Sequence, residues 1–242
     1  MSELHKFLFD GLPVRGMLVR LTDAWFEVLQ RRQELGPFPP EVRVLLGEMT
    51  AAGVLMQSNI KFDGALVLQI LGDGPVKLAV VEVQSDLSLR STATLAGEVP
   101  PQATLSQMVN VDNKGRCAIT LEPRTKFPGQ QPYQGVVPLF DDRHHKIEKI
   151  SAVLEHYMLQ SEQLDTTLVL AANDQVAAGL LIQRLPMQGT QNLSGSMVSK
   201  ENEDAIGLNE HYNRIAILAR TLKREELLEL DVETVLRRLF WE

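Results

Sequence analysis

Hydrophobic and polar positions in the first part of the chain indicate two helices followed by a series of strands. Residues 5 to 21 look extended, and "LTDAWFEVLQRRQ" then predicts a short helix with Thr22 as its N-cap. A longer helix should start at Pro40, because a proline fits the first helical turn. Its apolar stripe contains Val42, Leu45, Leu46, Met49, Gly53 and Met56. The segments "GALVLQIL", "VKLAVVEV" and "LSLRSTATLAG" follow as strands, the first apolar enough to be covered on both faces.

The middle of the chain continues the alternation of strands and helices. "RCAITLEP" and "YQGVVPLF" have the pattern of further strands. "TTLVLAANDQVAAGLLIQRL" predicts a hairpin that turns near Asn173 and Asp174. An amphipathic helix is expected in "KIEKISAVLEHYMLQSEQ", whose apolar stripe contains Ile147, Ile150, Leu154, Tyr157 and Met158.

The composition changes after Pro186, where "MQGTQNLSGSMVSKENED" is rich in polar and small residues and predicts a long loop. Two helical stripes follow the loop. The first contains Leu208, Tyr212, Ile215, Leu218, Ala219 and Leu222, and the second contains Val232, Val235, Leu236, Leu239 and Phe240. Asp231 is the expected N-cap of the second helix. Because this stripe runs to Trp241 without a stop signal, we expect that the sequence has been cut short here.

Together these elements predict an α+β fold. Residues 1–186 should form a core domain in which helices cover an antiparallel β-sheet. Residues 187–242 should comprise the polar loop and a small helical linker lobe, called the helical lobe below. Since its stripes need a partner, we expect the helical lobe to pack back on the sheet.

Composition agrees with a globular protein and argues against several partners. The 242 residues are 44% hydrophobic but only 5% aromatic, so an aliphatic core is expected. A net charge of −7 makes nucleic acid and anionic membranes poor partners. Cys117 is the single cysteine, and neither a signal segment nor an apolar run of about 20 residues is present. We therefore expect a cytoplasmic protein without intrachain disulfides.

The stretch "ILGDGPVKLAVV" raises the question of a phosphate-binding loop. A dinucleotide fingerprint needs a third glycine where Lys77 stands, and Pro75 removes a backbone donor that a phosphate would use. The residues on both sides have the pattern of strands, so a hairpin turn is the better interpretation. An enzyme that binds a phosphate or nucleotide through the turn from Gly72 to Gly74 remains the alternative hypothesis.

The remaining motifs yield no set of catalytic, cofactor-binding or metal-binding residues. Asp141, Asp142, His144 and His145 are neighbours in sequence, so their side chains should point apart. Capping of the following helix is a better interpretation of these residues than metal binding. Cys117 alternates with apolar residues, as a buried and unreactive thiol would. We therefore expect a protein that is not an enzyme.

An ordered set of segments carries a resemblance to a known family: "FLFDGLPVRG", "IKFDG", "LQILGDGPVKLAVV", "YQGVVPL", "YMLQSEQL" and "AAGLLIQRLP". With the terminal "RTLKREELLELDVETVLRRLFWE", the chain resembles the bacterial redox-regulated holdase chaperones, the thirty-three-kilodalton heat-shock proteins. The resemblance implies a stress-response chaperone of the cytoplasm that binds unfolded client proteins without ATP. It also implies that the active form is associated with homodimers.

One feature of that family is missing from this sequence. The family carries a C-terminal zinc domain with four cysteines that responds to oxidation, and the sequence ends where that domain should begin. Cys117 matches none of the four cysteines. Zinc and the redox switch are therefore expected only in the missing domain, and no zinc ligand is assigned to this chain.

The resemblance also gives the two C-terminal stripes a candidate function. Taken alone, amphipathic stripes indicate ordinary core packing. In the family the linker helices are released when the zinc domain unfolds, which implies that the stripes pack in the resting state and bind clients in the active one. The candidate client-binding or docking residues are Ile215, Leu218, Leu222, Val235, Leu239 and Phe240.

Overall fold

The structure, a computed structural model, describes residues 1–125, 131–185 and 200–241, with the backbone alone between 200 and 209. The strands in these ranges form two antiparallel sheets. The first contains β1 (Glu3–Leu8), β2 (Val14–Leu21), β8 (Thr166–Ala172) and β9 (Ala177–Arg184), in the order β1-β2-β9-β8. The second contains β3 (Gly64–Leu71), β4 (Val76–Gln84), β5 (Leu89–Leu95), β6 (Arg116–Pro123) and β7 (Tyr133–Pro138), in the order β5-β4-β3-β6-β7.

Helices lie between the sheets and around them. Those of the core are α1 (Asp23–Gln33), α2 (Pro40–Asn59), α3 (Leu105–Val109) and α4 (Ile150–Glu162). The helical lobe consists of α5 (Lys200–Arg220), α6 (Arg224–Glu229) and α7 (Val232–Phe240).

The predicted α+β fold with an antiparallel core is confirmed, but the core contains two sheets. The division arises because the β8–β9 hairpin pairs with β2 from the start of the chain and leaves the central strands in a sheet of their own. The hairpin turn is where the sequence predicts it, since the Asn173 side-chain oxygen accepts hydrogen bonds from the N–H groups of Gln175 and Val176. The domain boundary at Pro186 and residues 187–199 of the predicted polar loop lie outside the described residues. The prediction is wrong for the rest of that loop, 200–204, because these residues form the start of α5.

Helix α2 is the centre of the core, because it contacts both sheets. Pro40 is its first residue, as predicted, but the apolar stripe understates its burial: nearly every residue from Leu45 to Gln57 is buried. Two glycines permit this close packing. A Cβ on Gly47 would overlap the Ala172 side chain of the four-stranded sheet, whereas one on Gly53 would press on Val81 and Val83 of the other sheet.

Strand β9 is buried on both faces. Ala177 and Leu181 belong to the core around α2, whereas Ala178, Leu180 and Ile182 belong to a second apolar cluster with the helical lobe. Alternate side chains of a strand point to opposite faces. The apolar run "AAGLLI" therefore reflects a sheet that is covered on both sides.

Helix α1 begins where the sequence predicts, but its cap is a different residue. Thr22 precedes the helix and its side chain makes no capping hydrogen bond. The Ser2 hydroxyl oxygen instead accepts hydrogen bonds from the N–H groups of Thr22 and Ala24, at 3.1 and 3.3 Å. The capping group thus comes from the N-terminal residues, which lie close to the helix only in the folded chain.

Helix α4 starts later than predicted, at Ile150 rather than near Lys146. Residues before it remain extended, because Lys146 forms a β-bridge with Phe140 and the Ile147 N–H donates to the Leu139 carbonyl at 3.1 Å. Asp141 does not cap the helix either. Its carboxylate accepts hydrogen bonds from the N–H groups of Arg143 and His145 and so closes a local turn.

The turn between β3 and β4 is anchored by an aspartate. The Asp73 carboxylate accepts hydrogen bonds from the N–H groups of Val111, Asp112 and Lys114, at 2.6, 2.9 and 2.8 Å. Partial desolvation raises the pKa of Asp73, but these hydrogen bonds outweigh it, so the pKa lies below its ordinary value. The carboxylate therefore joins the hairpin to the loop after α3.

We predict that Asp73→Asn lowers the free energy of unfolding at neutral pH by about 1–2 kcal/mol, since the amide replaces a charged acceptor of three N–H groups. Because the folded-state pKa is depressed, this stabilisation is complete above the pKa of an unfolded aspartate and is lost as acid protonates the carboxylate. Urea unfolding at neutral and acidic pH measures the difference. Asp112→Asn, an exposed change on the same loop, should remain within about 0.5 kcal/mol of the parent. Equal effects of the two substitutions would contradict the assignment.

Candidate functional site

The helical lobe covers the face of the four-stranded sheet that α2 leaves free. Its helices α5 and α6 lie against β8 and β9, and α7 packs on α5. The buried residues on the sheet side are Val14, Leu18, Ala171, Val176, Ala178, Leu180 and Ile182. Those on the lobe side are Tyr212, Ile215, Ala216, Ala219, Leu222, Leu227, Leu228, Val232, Val235, Leu236 and Leu239. The two sets form one apolar cluster, separate from the core around α2.

Most of the predicted stripe residues lie in this cluster. Ile215, Leu222, Val235 and Leu239 are buried in it, and Phe240 packs against it while partly exposed. The inward position predicted for Leu218 is wrong, because this side chain is 45% exposed. The face that α5 presents to the sheet is instead centred on Ala216 and Ala219, so Leu218 falls at its margin. Leu208 lies outside the residues whose side chains are described.

The end of α7 is held by an aromatic cluster. The Phe240 ring contacts Phe9 edge to face, with centroids 5.0 Å apart, and lies 6.0 Å from Phe7. The start of α7 is capped as predicted, since the Thr234 N–H donates to the Asp231 carboxylate at 2.9 Å. Helix α7 is therefore held at its start by the adjacent Asp231 and at its end by aromatic rings of the β1–β2 region.

Hydrogen bonds at the edge of the interface fix the orientation of the lobe on the four-stranded sheet. The hydroxyls of Tyr212 and Thr167 lie 3.1 Å apart and share a hydrogen bond. The Arg20 guanidinium donates to the Leu227 carbonyl at 3.1 Å, and Arg224 donates to the carbonyl of Ala172. Each contact joins the lobe to a strand of the core.

Two ion pairs also cross the interface. Arg224 lies 3.5 Å from the Glu48 carboxylate of α2, and Arg220 lies 3.4 Å from the Glu155 carboxylate of α4. Both pairs line a cleft of about 590 Å³ between core and lobe, with Lys149 beside them. Sequence reasoning missed this site. Its one local signal was Glu48, a charged residue within a largely apolar helix.

The interface disfavours ionisation of both carboxylates. Burial raises the pKa of Glu48 to about 7, although Arg224 and Lys149 act in the opposite direction. Burial likewise raises the pKa of Glu155, against a hydrogen bond from the Leu168 N–H and the charge of Arg220. Desolvation therefore outweighs the attraction of the arginines at both positions.

The other candidate sites are occupied by structural contacts. In the turn from Gly72 to Gly74, the N–H groups of Gly72 and Asp73 already donate to the carbonyls of Lys77 and Val109. A Cβ on Gly74 would collide with the Met108 carbonyl, so this glycine serves close packing. Within the described ranges, no group of three or more His, Cys, Asp or Glu side chains could hold a metal ion.

Cys117 is fully buried on β6, as predicted. Burial raises the pKa of its thiol to about 12, which keeps the nucleophilic thiolate rare at neutral pH. A four-cysteine zinc site cannot be formed by this sequence, since Cys117 is its single cysteine and is surrounded by apolar core.

We predict that a thiol reagent such as 5,5′-dithiobis(2-nitrobenzoate) leaves Cys117 unmodified in the native protein and reacts with it fully in denaturant, because unfolding hydrates the thiol and restores its ordinary pKa. Release of the coloured thiolate measures the reaction. Cys117→Ser provides the blank. Rapid modification of the native chain would contradict the burial of this residue.

Among the described residues, no helix has both the length and the apolar character needed to cross a membrane.

Comparisons with known proteins agree with this architecture. The Hsp33 protein family matches residues 2–242. The 33 kDa chaperonin of Chromobacterium violaceum is 45% identical to the chain, covering 100% of the chain and 71% of the relative's length. The 33 kDa chaperonin of Methylobacillus flagellatus is 41% identical, covering 99% of the chain and 71% of the relative.

The fold is also present in a solved structure. The crystal structure of the 33 kDa chaperonin of Thermotoga maritima matches with a TM-score of 0.71 at 20% identity, covering 99% of the chain and 74% of that protein. The solved structure shows the fold, whereas the family match and the 45% identity show the family. The chain belongs to the Hsp33 family.

Proposed function

We propose that this protein is a chaperone that holds unfolded client polypeptides without ATP and without catalysing a reaction. The observation that carries the proposal is the apolar interface between the helical lobe and the four-stranded sheet. Release of the lobe would expose apolar residues on both sides of this interface at once. The names of the relatives, 33 kDa chaperonins, support a chaperone role.

The interface is suited to release because the lobe's short helices depend on it. Helices α6 and α7 have 6 and 9 residues, lengths at which an isolated helix is marginal in water. Each large apolar side chain gains about 1.5–3 kcal/mol only while it is buried. An undocked lobe would therefore be both partly unfolded and strongly apolar.

The sheet face under the lobe would form the other half of the client-binding surface. Leu18, Leu180 and Ile182 belong to the cluster that the lobe completes, so release of the lobe would expose them. An unfolded polypeptide presents apolar side chains of many shapes. A broad aliphatic face of this kind binds them without requiring a particular sequence.

The alternative of a nucleotide-binding enzyme has less support. The N–H groups of Gly72 and Asp73 are paired with the Lys77 and Val109 carbonyls, and Gly74 packs directly on the Met108 carbonyl. We place the chaperone activity in the cytoplasm, and we expect a homodimer in the active form. Both remain proposals that fractionation and mass measurement would test.

We predict that Ala219→Asp increases suppression of client aggregation. Ala219 is fully buried against the sheet, so a carboxylate there should weaken docking by about 3–5 kcal/mol while every large apolar residue of the lobe remains. Light scattering of a denaturant-unfolded client, without ATP, measures the activity. Asn213→Asp places the same charge on an exposed position of α5 and is the matched control.

Hydrogen exchange over α5–α7 should show the lobe opening in Ala219→Asp and not in Asn213→Asp. If the lobe opens but client aggregation is not suppressed more strongly, the interface is not the client-binding surface and the proposed function is wrong.

We further predict that the activity of this chain is the same in peroxide and in dithiothreitol. Its only thiol is buried and protonated, so an oxidant meets no reactive cysteine. The same light-scattering assay, run after each treatment, tests the expectation. A reversible change that persists in Cys117→Ser would contradict it.

A further inference from the structure

The two ion pairs at the edge of the helical lobe differ from ordinary surface pairs in where their charges lie. Glu48 is on the central helix α2 and its side chain is only 20% exposed, whereas Arg224 extends to it from the lobe and is 42% exposed. Glu155 on α4 is 24% exposed and meets Arg220 of the lobe. In both pairs the carboxylate belongs to the core and is the more buried partner.

Residues of the lobe form one wall of the cleft that Glu48 and Glu155 line, so docking reduces the hydration of both carboxylates. The arginines restore part of the lost hydration energy, Arg224 as an ion-pair neighbour of Glu48 at 3.5 Å and Arg220 through a long hydrogen bond of 3.4 Å to the Glu155 carboxylate. Loss of hydration by a buried carboxylate commonly exceeds the attraction of its partner. A proton on the carboxylate relieves this unfavourable term.

We propose that Glu48 and Glu155, through their contacts with Arg224 and Arg220, make docking of the helical lobe sensitive to pH, so that acid strengthens docking and alkaline conditions loosen it. A change in docking would control client binding only through the proposed function, and to that extent this inference rests on it. The docking equilibrium itself is independent of any client.

The direction follows from proton binding. In the docked structure burial raises the pKa of Glu48 to about 7 and raises that of Glu155, more than Arg224 and Arg220 lower them, whereas a carboxylate that regains water titrates nearer its ordinary value. The docked state thus binds more protons over the interval between those values. Docking is favoured on the acidic side and weakens as pH rises through about 7.

The other charged groups of the cleft do not offset this effect. The Glu148 carboxylate accepts hydrogen bonds from the Ser106 N–H and hydroxyl, and Glu41 accepts one from the Gln102 N–H, so both have partners within the core. Lys149 is a fixed positive charge next to Glu48. On the other side of Glu155 lie His156, with Nε2 3.9 Å from Asp142, and Asp165 and Tyr212. The Tyr212 hydroxyl is hydrogen-bonded to Thr167, and Asp165 is paired with Arg184, so His156 is the side chain chosen as a control.

The test measures opening of the lobe directly. Hydrogen exchange over α5–α7, corrected for the chemical exchange rate, is compared at about pH 6 and about pH 8. With a pKa of about 7 for Glu48, the open state of the parent should be about tenfold more populated at the higher pH. Peptides from β3 and β4, in the sheet that the lobe does not cover, report on the core and should not show this ratio.

Single and double substitutions identify the groups responsible. Glu48→Gln should reduce the pH response and, at about pH 8, should make the lobe open less often than in the parent. Glu155→Gln should act in the same direction, and the double variant should respond by less than about twofold. Glu27→Gln, on the exposed face of α1, changes the net charge equally and should behave as the parent. His156→Gln should also keep the pH response.

Removal of an arginine should have the opposite effect. Arg224→Gln leaves the Glu48 carboxylate in the cleft without its cation, so the response to pH should become steeper. If the pairs served only as stabilising contacts, Glu48→Gln and Arg224→Gln would both increase opening at about pH 8. That result, or a double variant with an unchanged pH response, would overturn the inference. Client-aggregation assays remain separate, so a failure of the proposed function would be recognised independently.

Discussion

The structure depends on one constraint, which is that the four-stranded sheet is apolar on both faces. Helix α2 covers one face and the helical lobe covers the other, while β9 lies between them with side chains in both clusters. A sheet of this kind requires two covers to remain in water. One cover is the central helix of the core, wedged between two sheets. The other is a peripheral set of helices, and this difference makes selective release physically reasonable.

Attachment of the helical lobe combines strong and weak elements. Aliphatic burial and the aromatic contact of Phe240 with Phe9 provide the attraction. The ion pairs of Glu48 and Glu155 provide specificity of position, but dehydration of the carboxylates reduces their contribution to binding. An interface that is largely apolar yet contains unfavourably buried charge can be closed in one condition and opened in another.

Local features could be predicted where the determining residues are close in sequence. Pro40 begins α2, Asp231 caps α7 and Asn173 closes the β8–β9 turn, as the sequence indicates. Predictions failed where a distant residue intervenes. Ser2 rather than Thr22 receives the N–H groups of α1, and the bridge between Phe140 and Lys146 delays the start of α4.

The sequence by itself determined the α+β class, the order of the elements apart from the short helices α3 and α6, the burial of Cys117 and most of the apolar stripes of the helical lobe, because these depend on periodicity and composition over a few residues. Only the tertiary structure decided that the strands separate into two sheets, that Leu218 lies outside the interface, and that Glu48 meets Arg224 across 176 positions of sequence. Pairing between distant segments depends on how complete faces fit together, and the pattern of one segment contains no information about its partner.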